Sequence, residues 1–202
     1  MKNIIRVGTM LSLLGLFVVG CATTTQRVDL TNDTGPETMG LDYRDFEQAA
    51  RETVSKMIAS GNLNKPGGGR YVLTISSIRN RTSQYIDTDQ LAIPITEELQ
   101  NSGKVVLTTA VGANGARDAM SHNVRDLRMD DEFDQSRVAK KGQMIAPDFS
   151  LAGKIIERTI RLNSRQTQVE YYLQLSLTEV NTGLAYWNGQ TRIVKRGSSR
   201  SW

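Results

Sequence analysis

Val169-Glu-Tyr-Tyr-Leu-Gln-Leu-Ser-Leu177 decides the fold. Val169, Tyr171, Leu173, Leu175 and Leu177 alternate with Glu170, Tyr172, Gln174 and Ser176. Successive side chains on a strand point to opposite faces, so one face of this strand is packed and the other is wetter. The strand continues to Glu179. On either side, Phe149 to Leu162 and Leu184 to Val194 read as two more strands. Polar turns, Asn163-Ser-Arg-Gln-Thr167 and Asn181-Thr-Gly183, join them to it. Connections this short make the three strands antiparallel neighbours.

Upstream, the period changes. Asp42 can cap a helix whose first turn holds Asp45, and Phe46, Ala50, Val54, Met57 and Ile58 fall on one face of a 3.6-residue repeat before Gly61 stops it. After the Lys65-Pro-Gly-Gly-Gly-Arg70 loop, Tyr71 to Ile78 has the β-branched content of a strand. A second helix is expected from about Asp89 to Asn101, with Leu91, Ile95 and Leu99 on one side. Pro94 fits there only near the first turn or at a kink. Val105 to Thr108 is a short strand. Residues 112–132 are polar, with a short helix at best around Ala116–Arg125. A third helix is expected from Gln135 to Ile145, capped by Asp134, with Val138 and Ile145 inward. No internal repeat is visible. The sum is an α+β domain: a mixed, mostly antiparallel sheet of about five strands with helices packed on one face.

The first residues set the compartment. Lys2 and Arg6 precede the 13 uncharged residues Val7 to Val19, a run too short to span a bilayer, which needs about 20. A basic head, a short apolar stretch and a small residue before the cut make a secretory signal over residues 1–20. Its end, Val18-Val19-Gly20-Cys21, resembles a bacterial lipobox, which implies cleavage before Cys21 and lipid on that cysteine. Several acyl chains hold a protein far more firmly than one. Ala22 stands where lipoproteins kept at the inner membrane usually carry Asp, so the resemblance implies the outer membrane. Residues 21–40 are then the lipidated cysteine and a flexible tether, and 41–202 a single globular domain. The 19 residues after Cys21 stretch to roughly 65 Å but average about 25 Å as a coil.

Composition excludes several functions. Cys21 is the only cysteine, so the mature chain holds no disulfide. The whole chain has 25 basic and 21 acidic residues, net +4; losing Lys2 and Arg6 leaves +2, which is no nucleic-acid footprint. His122, the sole histidine, reads as a solvated surface residue in a polar stretch, since no serine lies in a nucleophile elbow and the only cysteine is Cys21. Too few ligands remain for zinc. Asp130, Asp131, Glu132 and Asp134 lack the alternation of a calcium loop and read as stabilising the helix after them. Gly67-Gly68-Gly69 precedes a strand rather than a helix, so it is a turn and no phosphate cradle. Arg192, Lys195, Arg196 and Arg200 read as a solvated strand end and frayed terminus, the alternative being contact with anionic lipid or wall material. Tyr171 and Tyr172, and likewise Tyr186 and Trp187, are expected on opposite faces of their strands, which puts one of each pair away from the core or under the helices or the loop 112–132. Exposed aromatics of that kind are common anchors in interfaces.

Four segments carry a further resemblance. They are Ile78-Arg-Asn-Arg-Thr82, Leu99-Gln-Asn-Ser-Gly-Lys-Val-Val106, Ala146-Pro-Asp-Phe-Ser-Leu-Ala-Gly153 and Thr178-Glu-Val-Asn-Thr-Gly-Leu-Ala-Tyr-Trp-Asn-Gly189. In this order, over residues 42–195, the chain resembles the LpoB family of outer-membrane lipoproteins that activate a bifunctional penicillin-binding protein. The motifs also occur in related periplasmic modules, the curli secretion lipoprotein CsgG and the N-terminal domain of TolB. The resemblance implies a TolB N-terminal-like fold, no enzymatic activity, no cofactor beyond the covalent lipid, and a monomer that docks on a peptidoglycan synthase. The tether is short and has one Pro where LpoB proteins carry a long Pro-rich one, so the partner has to project outward to meet the domain. Carried over by position for partner binding are Asn80, Arg81, Thr82, Trp187 and Gly189. Asn80 and Thr82 also suit a turn cap, and Trp187 suits a core. The alternative is a structural lipoprotein of a CsgG-type secretion complex. That would need membrane-spanning hairpins of about ten residues per strand, and none is legible between Gln84 and Val169. An enzyme acting on wall or lipid lacks a nucleophile or metal set.

Overall fold

The computed structural model describes residues 25, 27–30, 32–112 and 117–198; Cys21 and Arg200 lie outside them. Residues up to Glu37 form one unit and Thr38 onward another. In the first, Asp33 turns the chain by accepting a hydrogen bond from the Gly35 amide (2.7 Å). Among the described residues, the helices and strands all lie in the second.

Five strands, β1 (Tyr71–Arg81), β2 (Val105–Leu107), β3 (Phe149–Arg161), β4 (Thr167–Glu179) and β5 (Ala185–Gly197), form one sheet in the order β2-β1-β3-β4-β5. β1 runs parallel to both β2 and β3, while β3–β4–β5 is an antiparallel meander. The α+β expectation holds. Helices α1 (Tyr43–Ala59) and α2 (Thr88–Asn101) cover one face of the sheet.

Each element forms for a local reason. At the start of α1, Asp42 accepts the amides of Arg44 and Asp45 while Asp45 accepts the amide of Asp42, a reciprocal cap. Helix α2 starts on Asp87, which takes the Asp89 amide (2.9 Å). Pro94 sits inside α2 and not in its first turn, so the helix forgoes the bond that position would make. On β4 the alternation is realised: Leu173, Leu175 and Leu177 are buried with Leu91, Ile95, Leu99, Val54 and Met57 of the helices, while Val169 and Tyr171 are buried in a second cluster with Met39. Gly153 faces Leu175 across the β3–β4 ladder. A Cβ there would lie 2.6 Å from Leu175 Cδ2 and 2.8 Å from the Gln174 carbonyl oxygen.

The expected helix over 135–145 does not form. Turns replace it, and the reason is competition from side chains. Gln135 Nε2 donates to the carbonyls of Leu127, Asp130 and Phe133. Asp134 accepts the amide and hydroxyl of Ser136. Gln143 accepts the Lys140 amide, and Gly142 has a left-handed φ. Ile145, expected inward, is 70% exposed. The acidic cluster before it therefore stabilises no helix. Upstream, the described residues of 112–132 hold a short helix, α3 (Met120–Asn123), and a 3-10 turn (Asp126–Met129), close to the short helix expected around 116–125.

Candidate docking surface

Three features of the 38–198 unit bear on function: the point where the chain enters, the hairpin end of β5, and the sheet face opposite α1 and α2.

At the entry point, residues 39–45 are held from several directions. Met39 is buried, and its carbonyl accepts the hydroxyl of Tyr171 (3.1 Å). Lys195 donates to the Gly40 carbonyl (2.8 Å) and to the Asp45 carboxylate (2.5 Å), both charged partners being almost fully buried. Burial pushes the Asp45 carboxyl above its ordinary range, against the pull of the Lys195 ammonium and the Asp42 amide. Burial also pushes the Tyr171 hydroxyl well up. Lys195 thus belongs to the core side of β5 and not to a solvated end, and the strand extends to Gly197, whereas Arg192 and Arg196 are exposed as expected.

Asn80 and Thr82 belong to this anchorage. Asn80 Oδ1 accepts the Thr82 amide (2.9 Å) and hydroxyl (2.8 Å), and its Nδ2 donates to the Gln84 carbonyl (2.7 Å). The turn so fixed presents Gln84 Oε1 to the Leu41 amide (3.0 Å) and Ser83 to Glu157. Their geometry is that of a turn cap that locks the domain entry. Arg81, between them, is exposed and on the opposite side of β1 from Asn80.

Trp187 and Gly189 form the second feature. The Trp187 indole lies over Gly189, where a Cβ would come 2.1 Å from Cη2, and packs against the core. Tyr186 was expected on the opposite face. A β-bulge between Leu177 and Thr178 makes it the extra residue of β5, and its ring meets Phe149 edge-on at 5.3 Å. Phe149 in turn meets Tyr71 at 4.9 Å. The Tyr171/Tyr172 pair does split: Tyr171 is buried, whereas Tyr172 faces away and donates to Glu170.

The open face is the third feature. Register places its side chains in four cross-strand rows. Arg79, Lys154, Gln174 and Gln190 make one; Arg81, Ile156, Tyr172 and Arg192 the next; Arg158, Glu170 and Val194 the third; Ile160, Gln168 and Arg196 the last. Six exposed cations therefore share a face with one carboxylate. Hydrogen bonds from Tyr172 and Gln168 hold Glu170 below the usual carboxylate range, with the Arg158 and Arg192 charges acting in the same direction. None of the ion pairs among the described residues includes any of the six. Beside the first row lies a trough of about 720 Å³ lined by Ser76, Ala152, Ser176 and Asn188, with Arg79 and Lys154 at its side. A more apolar groove of about 540 Å³, lined by Ile75, Ile78, Ala92, Ile93 and Leu107, runs between α2 and the β1–β2 edge.

The other expected sites resolve simply. His122 is only partly exposed, its Nε2 lying 2.7 Å from the Ala110 carbonyl oxygen. Gly67, Gly68 and Gly69 all have left-handed φ and make a turn. Among the described residues no group of His, Cys, Asp or Glu is placed to hold a metal, and no helix is long and apolar enough to cross a membrane. The sequence left the open face unread because its cations come from three strands and only the register puts them together.

The unit is a small α+β head with a locked entry and a broad sheet face opposite its two long helices. The model of the family described as peptidoglycan-synthase activator LpoB matches residues 45–193, and the chain belongs to that family. Similar solved structures include the LpoB C-terminal domains of Salmonella enterica and of Escherichia coli. Each is 18% identical, with a TM-score of 0.43 over 74% of this chain and 98% of that one. The NMR structure of E. coli LpoB, also 18% identical, has a TM-score of 0.40 over 86% of this chain and 77% of that one. No curated protein is similar enough to count as a match.

Proposed function

We propose that the chain is an outer-membrane lipoprotein, lipidated on Cys21, that binds a bifunctional penicillin-binding protein as a monomer and raises its rate of peptidoglycan synthesis. The family match supports this: it spans nearly all of the ordered domain and is to peptidoglycan-synthase activators. Val18-Val19-Gly20-Cys21 supports the anchor, and the chain between Cys21 and Met39 supplies the tether.

Activation of this kind is a difference in binding free energy. A partner raises activity only by gripping the more active synthase conformation more tightly than the less active one. The protein makes and breaks no bonds in the glycan or the peptide. It supplies a rigid surface, and the lipid fixes where that surface works. Locking Met39–Leu41 to β4, β5 and the Asn80–Thr82 turn suits the task, because the tether then leaves the domain from a fixed point.

The test mixes the purified mature protein with the cognate synthase and follows glycan polymerisation and cross-linking. Higher rates of both are expected; unchanged rates defeat the proposal. Mass spectrometry of the cell-extracted protein is expected to find residues 1–20 removed and acyl chains on Cys21, and an unmodified cysteine would remove the anchor.

A further inference from the structure

The open face of the sheet is a cation field in which six cations meet one carboxylate. Arg79, Arg81, Lys154, Arg158, Arg192 and Arg196 project from it, and the single carboxylate, Glu170, is engaged by Tyr172 and Gln168. A mature chain close to neutral overall has thus gathered much of its positive charge on one side of one sheet. Resting on the reading of the chain as a synthase activator, we propose that this face is the docking surface for the synthase, and that it fits an acidic protein surface rather than a lipid or a polyanion.

Three observations choose that occupant. Five of the six cations are arginine, whose planar fork pairs bidentately with carboxylates and is enriched in protein interfaces, as is tyrosine. Between the charges stand Ile156, Ile160, Tyr172 and Val194 together with the amides Gln174, Gln190 and Gln168. Such a mixture offers apolar contact and directional hydrogen bonds, where a lipid headgroup layer asks only for charge. The trough beside Arg79 and Lys154 is concave and floored by small residues, so it receives a protruding segment and does not lie flat on a bilayer. Four rows two residues apart cover about 20 Å along the strands, the scale of a protein contact. Unpaired cations also speed encounter with an acidic partner, in a salt-dependent way.

The experiment uses the full mature lipoprotein in detergent, the cognate synthase, and vesicles of phosphatidylglycerol with phosphatidylethanolamine. A charge-reversed protein, Arg79→Glu with Lys154→Glu and Arg192→Glu, is compared with a control reversed off the face at Arg70, Lys141 and Arg165, all exposed. A neutral version, Arg79→Gln with Lys154→Gln and Arg192→Gln, guards against misfolding, and thermal unfolding is recorded for all. The open-face reversal is expected to weaken synthase binding at least tenfold and to remove stimulation. The neutral version is expected to fall in between, and the control to stay within twofold of the parent, with unfolding temperatures alike. Undiminished binding by the reversed protein overturns the proposal, and so does an equal loss in the control, which would make net charge the cause. Loss of vesicle binding with synthase binding intact overturns it in favour of the membrane. A parent protein that itself fails to bind or stimulate the synthase defeats the underlying reading instead, so the two failures are told apart.

Discussion

One sheet carries two faces that obey different rules. Under α1 and α2, every side chain has a neighbour it was shaped for: leucines interlock, Gly153 leaves room for Leu175, Gly189 lies beneath Trp187, and the hydroxyls of Thr53 and Thr191 share a hydrogen bond (2.8 Å) in full burial. On the other face the same strands present arginine beside arginine, and the intramolecular structure does not explain why. The contrast teaches that burial accounts for half of these residues, while the other half calls for something outside the chain. Substitutions on the covered face should cost stability first. Those on the open face should cost binding alone.

The largest effect is expected at the buried ion pair. Lys195→Met leaves the Asp45 carboxylate without its counter-charge and frees the Gly40 carbonyl, a loss of about 3–5 kcal/mol in chemical denaturation. Leu175→Ala should follow, at about 2–5 kcal/mol, depending on how far β3 and the helices close on the cavity. Gly153→Ala forces a methyl against Leu175 and the Gln174 carbonyl and should cost about 1–3 kcal/mol. A neutral substitution at Arg158 or Arg192 should change unfolding by less than about 0.5 kcal/mol. A larger loss there would break the comparison, for it would show that the open face also holds the fold together.

Acidity sharpens the same contrast. Because burial raises the Asp45 carboxyl, the folded protein holds that proton more tightly than the unfolded chain does. The stabilisation from this group is then complete below the ordinary carboxyl range and is lost as pH rises through the raised value. In denaturation at stepped pH, the stability of the parent relative to Asp45→Asn should therefore increase as pH is lowered through that range. A difference that shrinks on acidification would mean that pairing with Lys195 outweighs burial.

Much of the fold was legible and much of the docking surface was not, for one physical reason. Val169 to Leu177 states its own period, and Asp42 with Asp45 states its own cap; both are readable because their causes lie within a few residues. Residues 135–145 misled because Asp134, Gln135, Ser136 and Gln143 bond the backbone locally, a competition that apolar spacing does not report. Tyr186 misled because one bulged residue resets the alternation. Among the partner-binding candidates, Asn80, Thr82, Trp187 and Gly189 carry structural tasks, and only Arg81 stands on the open face. Its companions lie as far along the chain as Arg196, and no motif joins them. Register alone does.

The claim that the covered face builds the domain while the open face binds can be read in one titration. Amide chemical shifts of the isotope-labelled mature protein would be followed as unlabelled synthase is added. The account predicts that the affected residues cluster on the β3, β4 and β5 positions around Lys154, Tyr172 and Arg192 and on Arg79 of β1. Changes confined to the groove between α2 and the β1–β2 edge, or to residues 117–148, would contradict it.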